Sequence, residues 1–147
     1  MIPNDARRFC YLKLAEFYAA RLMFPLAAKN MDSAAECATS PRDRIEFYLK
    51  EIAYAIKFGD FLIIDKAFKK ALSYAQNADK ESIKQKLKLA LMAQAEEHEK
   101  RNKRSNAAQI YERLLEMPIT GETEKKHLIE KLGVLNSRLG RLKESLS

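Results

Sequence analysis

The sequence predicts an all-α protein, an array of about seven antiparallel helices, and three observations predict it. Apolar residues recur at i, i+3, i+4 spacing almost throughout the 147 residues. Gly and Pro number only four each, too few for the turns of a sandwich or barrel. The breaks between periodic stretches are short, so neighbouring helices should form hairpins. The length fits one domain, 1–147, and an apolar content of 47% can build a core and excludes a wholly disordered chain.

The elements follow in order. Helix one is expected over about Asp5 to Leu22, capped by Asn4 or Asp5, with Tyr11, Leu14, Ala15, Tyr18 and Leu22 on its apolar face. Pro25 suits the first turn of helix two, where no N–H is needed, and that helix continues to about Ala38. Ser40-Pro41 is a strong start signal for helix three, which Gly59 should end by taking a left-handed conformation. Asp60 should cap helix four, about 61–76. Asn77-Ala78-Asp79 reads as a break before a long helix five, about 80–102, with Ile83, Leu87, Leu91 and Ala95 on one face. Ser105 or Asn106 can cap helix six, about 106–117. Pro118-Ile119-Thr120-Gly121 breaks the chain again, and helix seven carries Leu128, Leu132, Leu135 and Leu139 until Gly140 stops it.

An internal repeat runs through these hairpins. Ala15, Leu22, Ala27, Met31 and Ala34 are separated by the same steps as Ile52, Gly59, Ile64, Phe68 and Ala71, and as Ala95, Asn102, Ala107, Tyr111 and Leu114. A fourth unit begins with Gly133, Gly140 and Ser145. A small residue in each helix would let two backbones approach, and Met31, Phe68 or Tyr111 would fill the space beside it. The pattern resembles the tetratricopeptide-repeat family over nearly the whole chain, in repeats of about 5–38, 41–76 and 80–117 plus a C-terminal helix, 121–139. Segments such as Lys57-Phe58-Gly59-Asp60-Phe61 with Ala67-Phe68-Lys69-Lys70-Ala71-Leu72 carry the likeness, as does Asn106-Ala107-Ala108-Gln109-Ile110-Tyr111. The period is longer than that family's 34 residues, Trp is absent, and Pro118 alone stands where a closing proline belongs.

The resemblance implies a right-handed superhelical stack whose concave groove holds a partner peptide or helix. Its lining would be Phe9, Leu12, Lys13, Glu16 and Ala20, then Glu46, Leu49, Lys50, Ala53 and Lys57, then Met92, Glu96, Glu99 and Lys100, then Glu130, Lys131, Val134 and Arg138. Each set has helical stripe spacing. Family members that grip a C-terminal carboxylate use Lys and Asn where this chain has Leu12 with Glu16 and Leu49 with Ala53, so that grip is not encoded. Helix seven reads as a cap for a three-unit array, and any surplus apolar surface on it invites a homodimer.

The formal charge of +7 is regional. Residues 1–65 balance nine bases against nine acids, whereas 66–104 hold eleven bases and five acids. Lys66, Lys69 and Lys70, then Lys80, Lys84 and Lys88, then Lys100, Arg101, Lys103 and Arg104 carry this excess. They suit an acidic protein partner or, as the alternative, RNA or DNA. Stacking aromatics are missing between Tyr74 and Tyr111, which disfavours single-strand binding. Glu124-x-x-His127 has metal-site spacing without the second copy such sites need, so a salt bridge is expected there. His98, in line with Tyr18, reads as a packed or capping group. Cys10 and Cys37 lie equidistant from the first turn and read as two small buried hydrophobes. No phosphate loop, nucleophile elbow or zinc cluster appears in the sequence, so an enzyme, a metal and a cofactor are not expected. No apolar run spans a bilayer, the start lacks a secretory layout, and two cysteines make no disulfide framework, so a cytoplasmic interaction scaffold is the expectation.

Overall fold

Ser40 and Asp60 show how the chain sets its helix starts. In the computed structural model, which describes residues 3–117 and 120–146 with side chains through 139, the Asp43 N–H donates to Ser40 Oγ at 3.1 Å. The Ile63 N–H donates to Asp60 Oδ1 at 3.2 Å. Each cap satisfies an orphan donor of the first turn. Seven helices are present among the described residues: α1 (Asn4–Ala20), α2 (Phe24–Cys37), α3 (Pro41–Phe58), α4 (Phe61–Tyr74), α5 (Asn77–Lys100), α6 (Arg104–Glu116) and α7 (Glu122–Leu146). No strand occurs among them. The expected all-α class therefore holds.

The three hairpin turns share one backbone solution. Leu22, Gly59 and Asn102, the second landmark of each repeat, all adopt left-handed φ, at 60°, 72° and 60°. In each, the following N–H reaches back five residues: Met23 to the Tyr18 carbonyl, Asp60 to Ala55 and Lys103 to His98. That bond occupies a carbonyl the helix end leaves free. It also explains why Tyr18 and His98 align in the repeat.

Several boundaries differ from expectation. Pro3, in an extended conformation, takes the cap position of α1, so Asn4 and Asp5 lie inside the helix and make no side-chain cap. Asn77-Ala78-Asp79 is the first turn of α5, because the Gln76 carbonyl accepts from Asp79 and Lys80. The left-handed turn at Asn102 leaves only Lys103 before α6 begins at Arg104, so Ser105 and Asn106 are helical and cap nothing. Gly140 does not stop α7, which continues to Leu146. Strong helix formers follow Gly140, and a lone interior Gly costs only about 1 kcal/mol. Gly133 likewise marks no close approach, since nothing lies within 4 Å of where its Cβ would be. The expected Pro118–Ile119 break lies outside the described residues.

The chain divides into two compact units, Met1–Ile83 and Lys84–Ser147, with the boundary inside α5. In the first unit α2 packs on α1 and α3, and α4 packs on α3. Its core is small-residue rich: Ala15, Ala27, Met31, Ala34, Ala35, Tyr48, Ile52, Ala55, Ile64, Ala67 and Ala71 are buried. Alanines let adjacent helices approach, and Met31 and Tyr48 fill the gaps. Phe68, expected to fill like Met31, is only partly buried. Leu14 and Leu22 of the expected α1 apolar face are exposed, Leu22 at 75% because its turn points it outward. In the second unit Leu87, Leu91, Ala95, Ala107, Tyr111, Leu114, Leu128, Leu132 and Leu135 are buried. Thr120 is buried there too, its hydroxyl donating to the Leu114 carbonyl at 2.7 Å.

Candidate functional site

The first-helix stripes face outward. On α1, Phe9, Lys13, Glu16 and Ala20 are exposed and Leu12 is half-buried. On α3, Glu46, Lys50, Ala53 and Lys57 are exposed and Leu49 is half-buried. In the second unit Glu96 and Lys100 on α5 and Glu130, Val134 and Arg138 on α7 are exposed, while Met92, Glu99 and Lys131 are half-buried. These are helical stripes with long polar side chains beside a few apolar ones.

Behind the stripes lies a feature the sequence reading missed. Each unit contains a clasp of one Glu, one Tyr and one Lys from three consecutive helices. In the first, the Tyr48 hydroxyl on α3 donates to Glu36 Oε1 on α2 at 2.9 Å. Lys70 on α4 lies 3.6 Å from the same oxygen and 5.4 Å from the Tyr48 ring centroid. In the second, the Tyr111 hydroxyl on α6 donates to Glu99 Oε1 on α5 at 2.5 Å. Lys131 on α7 lies 3.6 Å from Glu99 and 5.3 Å from the Tyr111 ring. Burial, then the hydrogen bond to the carboxylate and its charge, raises the pKa of both tyrosines. Each hydroxyl is thus fixed as a donor. Glu99 and Lys131, assigned to the groove, therefore belong to a clasp as well. The common spacing from Glu36 to Tyr48 and from Glu99 to Tyr111 was the available signal.

The first clasp has an acidic extension. Lys70 Nζ lies 3.0 Å from Asp32 Oδ1. Burial pulls its pKa down, but the hydrogen bond and charge of Asp32, with Glu36 and Glu51, outweigh this and raise it. Glu51 is buried, 4% exposed, and its Oε2 has no hydrogen-bond partner. Burial first, then the charge and hydrogen bond of Asp32, push its pKa up to about 8, with Lys70 opposing. Glu51 therefore holds a proton near neutrality.

The basic region is less free than its composition implies. Lys66, Lys69, Lys100 and Lys103 are exposed, and Lys80, Lys84 and Arg104 are half-buried. Lys70 is committed to the first clasp. The expected solvated ladder ends at Lys88, which is buried and paired with Glu124 Oε1 at 3.0 Å. Arg101 pairs with Glu97 at 2.8 Å. Glu124 thus makes a salt bridge, but with the buried Lys88 of α5 and not within the surface Glu124-x-x-His127 motif where one was expected. His127 is exposed, and no group of three or more metal-ligating side chains occurs among the described residues. His98 lies 3.2 Å from Gln94 through its Nε2. Both thiols are free, and Cys10 is exposed and Cys37 only half-buried, so neither is the buried hydrophobe expected. Cys10 lies on the side of α1 away from α2.

The second unit also holds a cavity of about 230 Å³ lined by residues including Met92, Leu114, Leu128 and His127. Among the described residues no helix is long and apolar enough to cross a membrane.

Residues 4–92, from the start of α1 well into α5, match the family described as 26S proteasome subunit RPN7. The chain belongs to the RPN7 family. No curated protein and no solved structure matches it. The RPN7 match contains the whole of the first clasp, Glu51 and the α1 and α3 stripes, and it leaves α6 and α7 outside.

Proposed function

We propose that this chain is a non-catalytic helical scaffold within a multi-protein assembly, and that it binds partner peptides or helices through the exposed stripes of its helices. The RPN7 match over 4–92 carries this reading, because it ties an all-helical chain to a family described as a subunit of a large complex. The stripes supply the means: Phe9, Leu12, Lys13 and Glu16 on α1, Glu46, Leu49, Lys50, Ala53 and Lys57 on α3, Met92, Glu96, Glu99 and Lys100 on α5, and Glu130, Lys131, Val134 and Arg138 on α7. Exposed Lys50 and Lys57 favour an acidic partner segment. The repeated left-handed turns support a tetratricopeptide-like hairpin array, and two free thiols fit a reducing, cytoplasmic setting.

The test is purification of the tagged chain from the cells that make it, with and without nuclease. Protein partners should survive nuclease. K50E/K57E should release some of them, and R101E/K103E/R104E, outside the stripes, should not. Loss of all partners on nuclease treatment sinks the scaffold reading in favour of RNA or DNA binding.

A further inference from the structure

The outward face of α1 does not look like a solvated face. Its packed side, around Ala15 and Tyr18, meets α2. On the opposite side Phe9 is 61% exposed and Phe17 48% exposed, at i, i+8 spacing. A cation follows each ring by one turn. Lys13 Nζ lies 5.6 Å from the Phe9 centroid and Arg21 Cζ 3.6 Å from that of Phe17. The ridge Phe9, Lys13, Phe17, Arg21 therefore alternates ring and cation at i, i+4 steps, flanked by small Cys10 and Ala20.

We propose that this face pairs with the same face of a second copy of the chain, antiparallel and two-fold symmetric. The occupant follows from the alternation. Ridges of i±4n residues interdigitate when two helices cross at roughly 50°. Run antiparallel against itself, this ridge sets Phe9 beside Arg21 of the partner subunit and Lys13 beside Phe17 of the partner subunit. Each ring, covered on one face by its own cation, meets the partner's cation at the other. A two-fold interface repeats every such contact, which is what self-complementarity means. Glu16, 3.6 Å from Lys13, tempers the added positive charge. The small flanking residues admit a second backbone.

The inference rests on the reading of the helix stripes as protein-binding surfaces. It names the occupant of the α1 stripe and leaves the α3 stripe to other partners. Sedimentation velocity of the full chain over a wide concentration series tests it. The expected result is a monomer–dimer equilibrium. F9A/F17A should weaken it about tenfold or more with unchanged helicity, since both rings lie outside the core. K13E/R21E, which keeps the rings and removes their cations, should weaken it likewise. I129A/V134A, on the exposed side of α7, should leave it intact. A chain that stays monomeric throughout overturns the proposal, as does a dimer indifferent to F9A/F17A or K13E/R21E, or one lost in I129A/V134A. A monomer that still purifies with its assembly removes the pairing alone and leaves the scaffold reading standing.

Discussion

Between an ordinary value of 4.5 and its folded value of about 8, Glu51 holds its proton more firmly in the folded chain than in the unfolded one. The folded state then binds more protons, so stability is full below pH 4.5 and falls as pH rises through 8. The slope is at most about 1.4 kcal/mol per pH unit for one such group. E51Q keeps a donor for Asp32 and removes the titration, so its urea midpoint should change little between pH 5 and 9 while the parent's falls. Parallel profiles would assign the pH dependence elsewhere. Nothing in the composition marks Glu51. Its place between Tyr48 and Ile52 on the buried side of α3 did, but a charged residue in a helical pattern reads by default as solvated.

At the scale of elements, the turns and the clasps carry the energetics. Gly59 has open space around its missing Cβ, so G59A adds strain without a clash and should cost about 1 kcal/mol. Leu22 suffers that strain already, with its side chain in solvent. L22G should therefore raise stability by about 0.5 kcal/mol, the gain in strain partly offset by a freer unfolded chain. Equal signs for the two variants would contradict the common turn. Y48F and Y111F each remove one part-buried hydrogen bond to a carboxylate and should cost about 1 kcal/mol in thermal or chemical denaturation. The hairpins and the Ser40 and Asp60 caps were legible because capping chemistry is local. The starts of α5 and α6 were not, since neither start shows a side-chain cap signal. Gly140 misled because a glycine signals an end only when the residues after it refuse the helix, and Arg141 to Leu146 do not.

At the scale of the whole molecule, the eleven bases of 66–104 overstate the free positive surface, because Lys70, Lys88 and Arg101 sit in ion pairs. Any binding to nucleic acid should accordingly be weak and less salt-dependent than the eleven bases of 66–104 would give, and filter binding across a salt series measures it. A slope as steep as the full lysine and arginine count of 66–104 implies would show that those pairs open. The all-helical architecture was readable from periodicity. The pairs of Lys70 with Asp32 and Lys88 with Glu124 were not, since they join residues 38 and 36 positions apart on different helices. The division at Ile83 and Lys84 has its own outcome in the laboratory. It falls within one unbroken helix, Asn77–Lys100, so the two compact units have no linker for a protease to find. Limited digestion should nick the chain at the exposed turns near Leu22, Gly59 and Asn102 well before it parts the units, and the boundary that is plainest in the packing should be the one cut last.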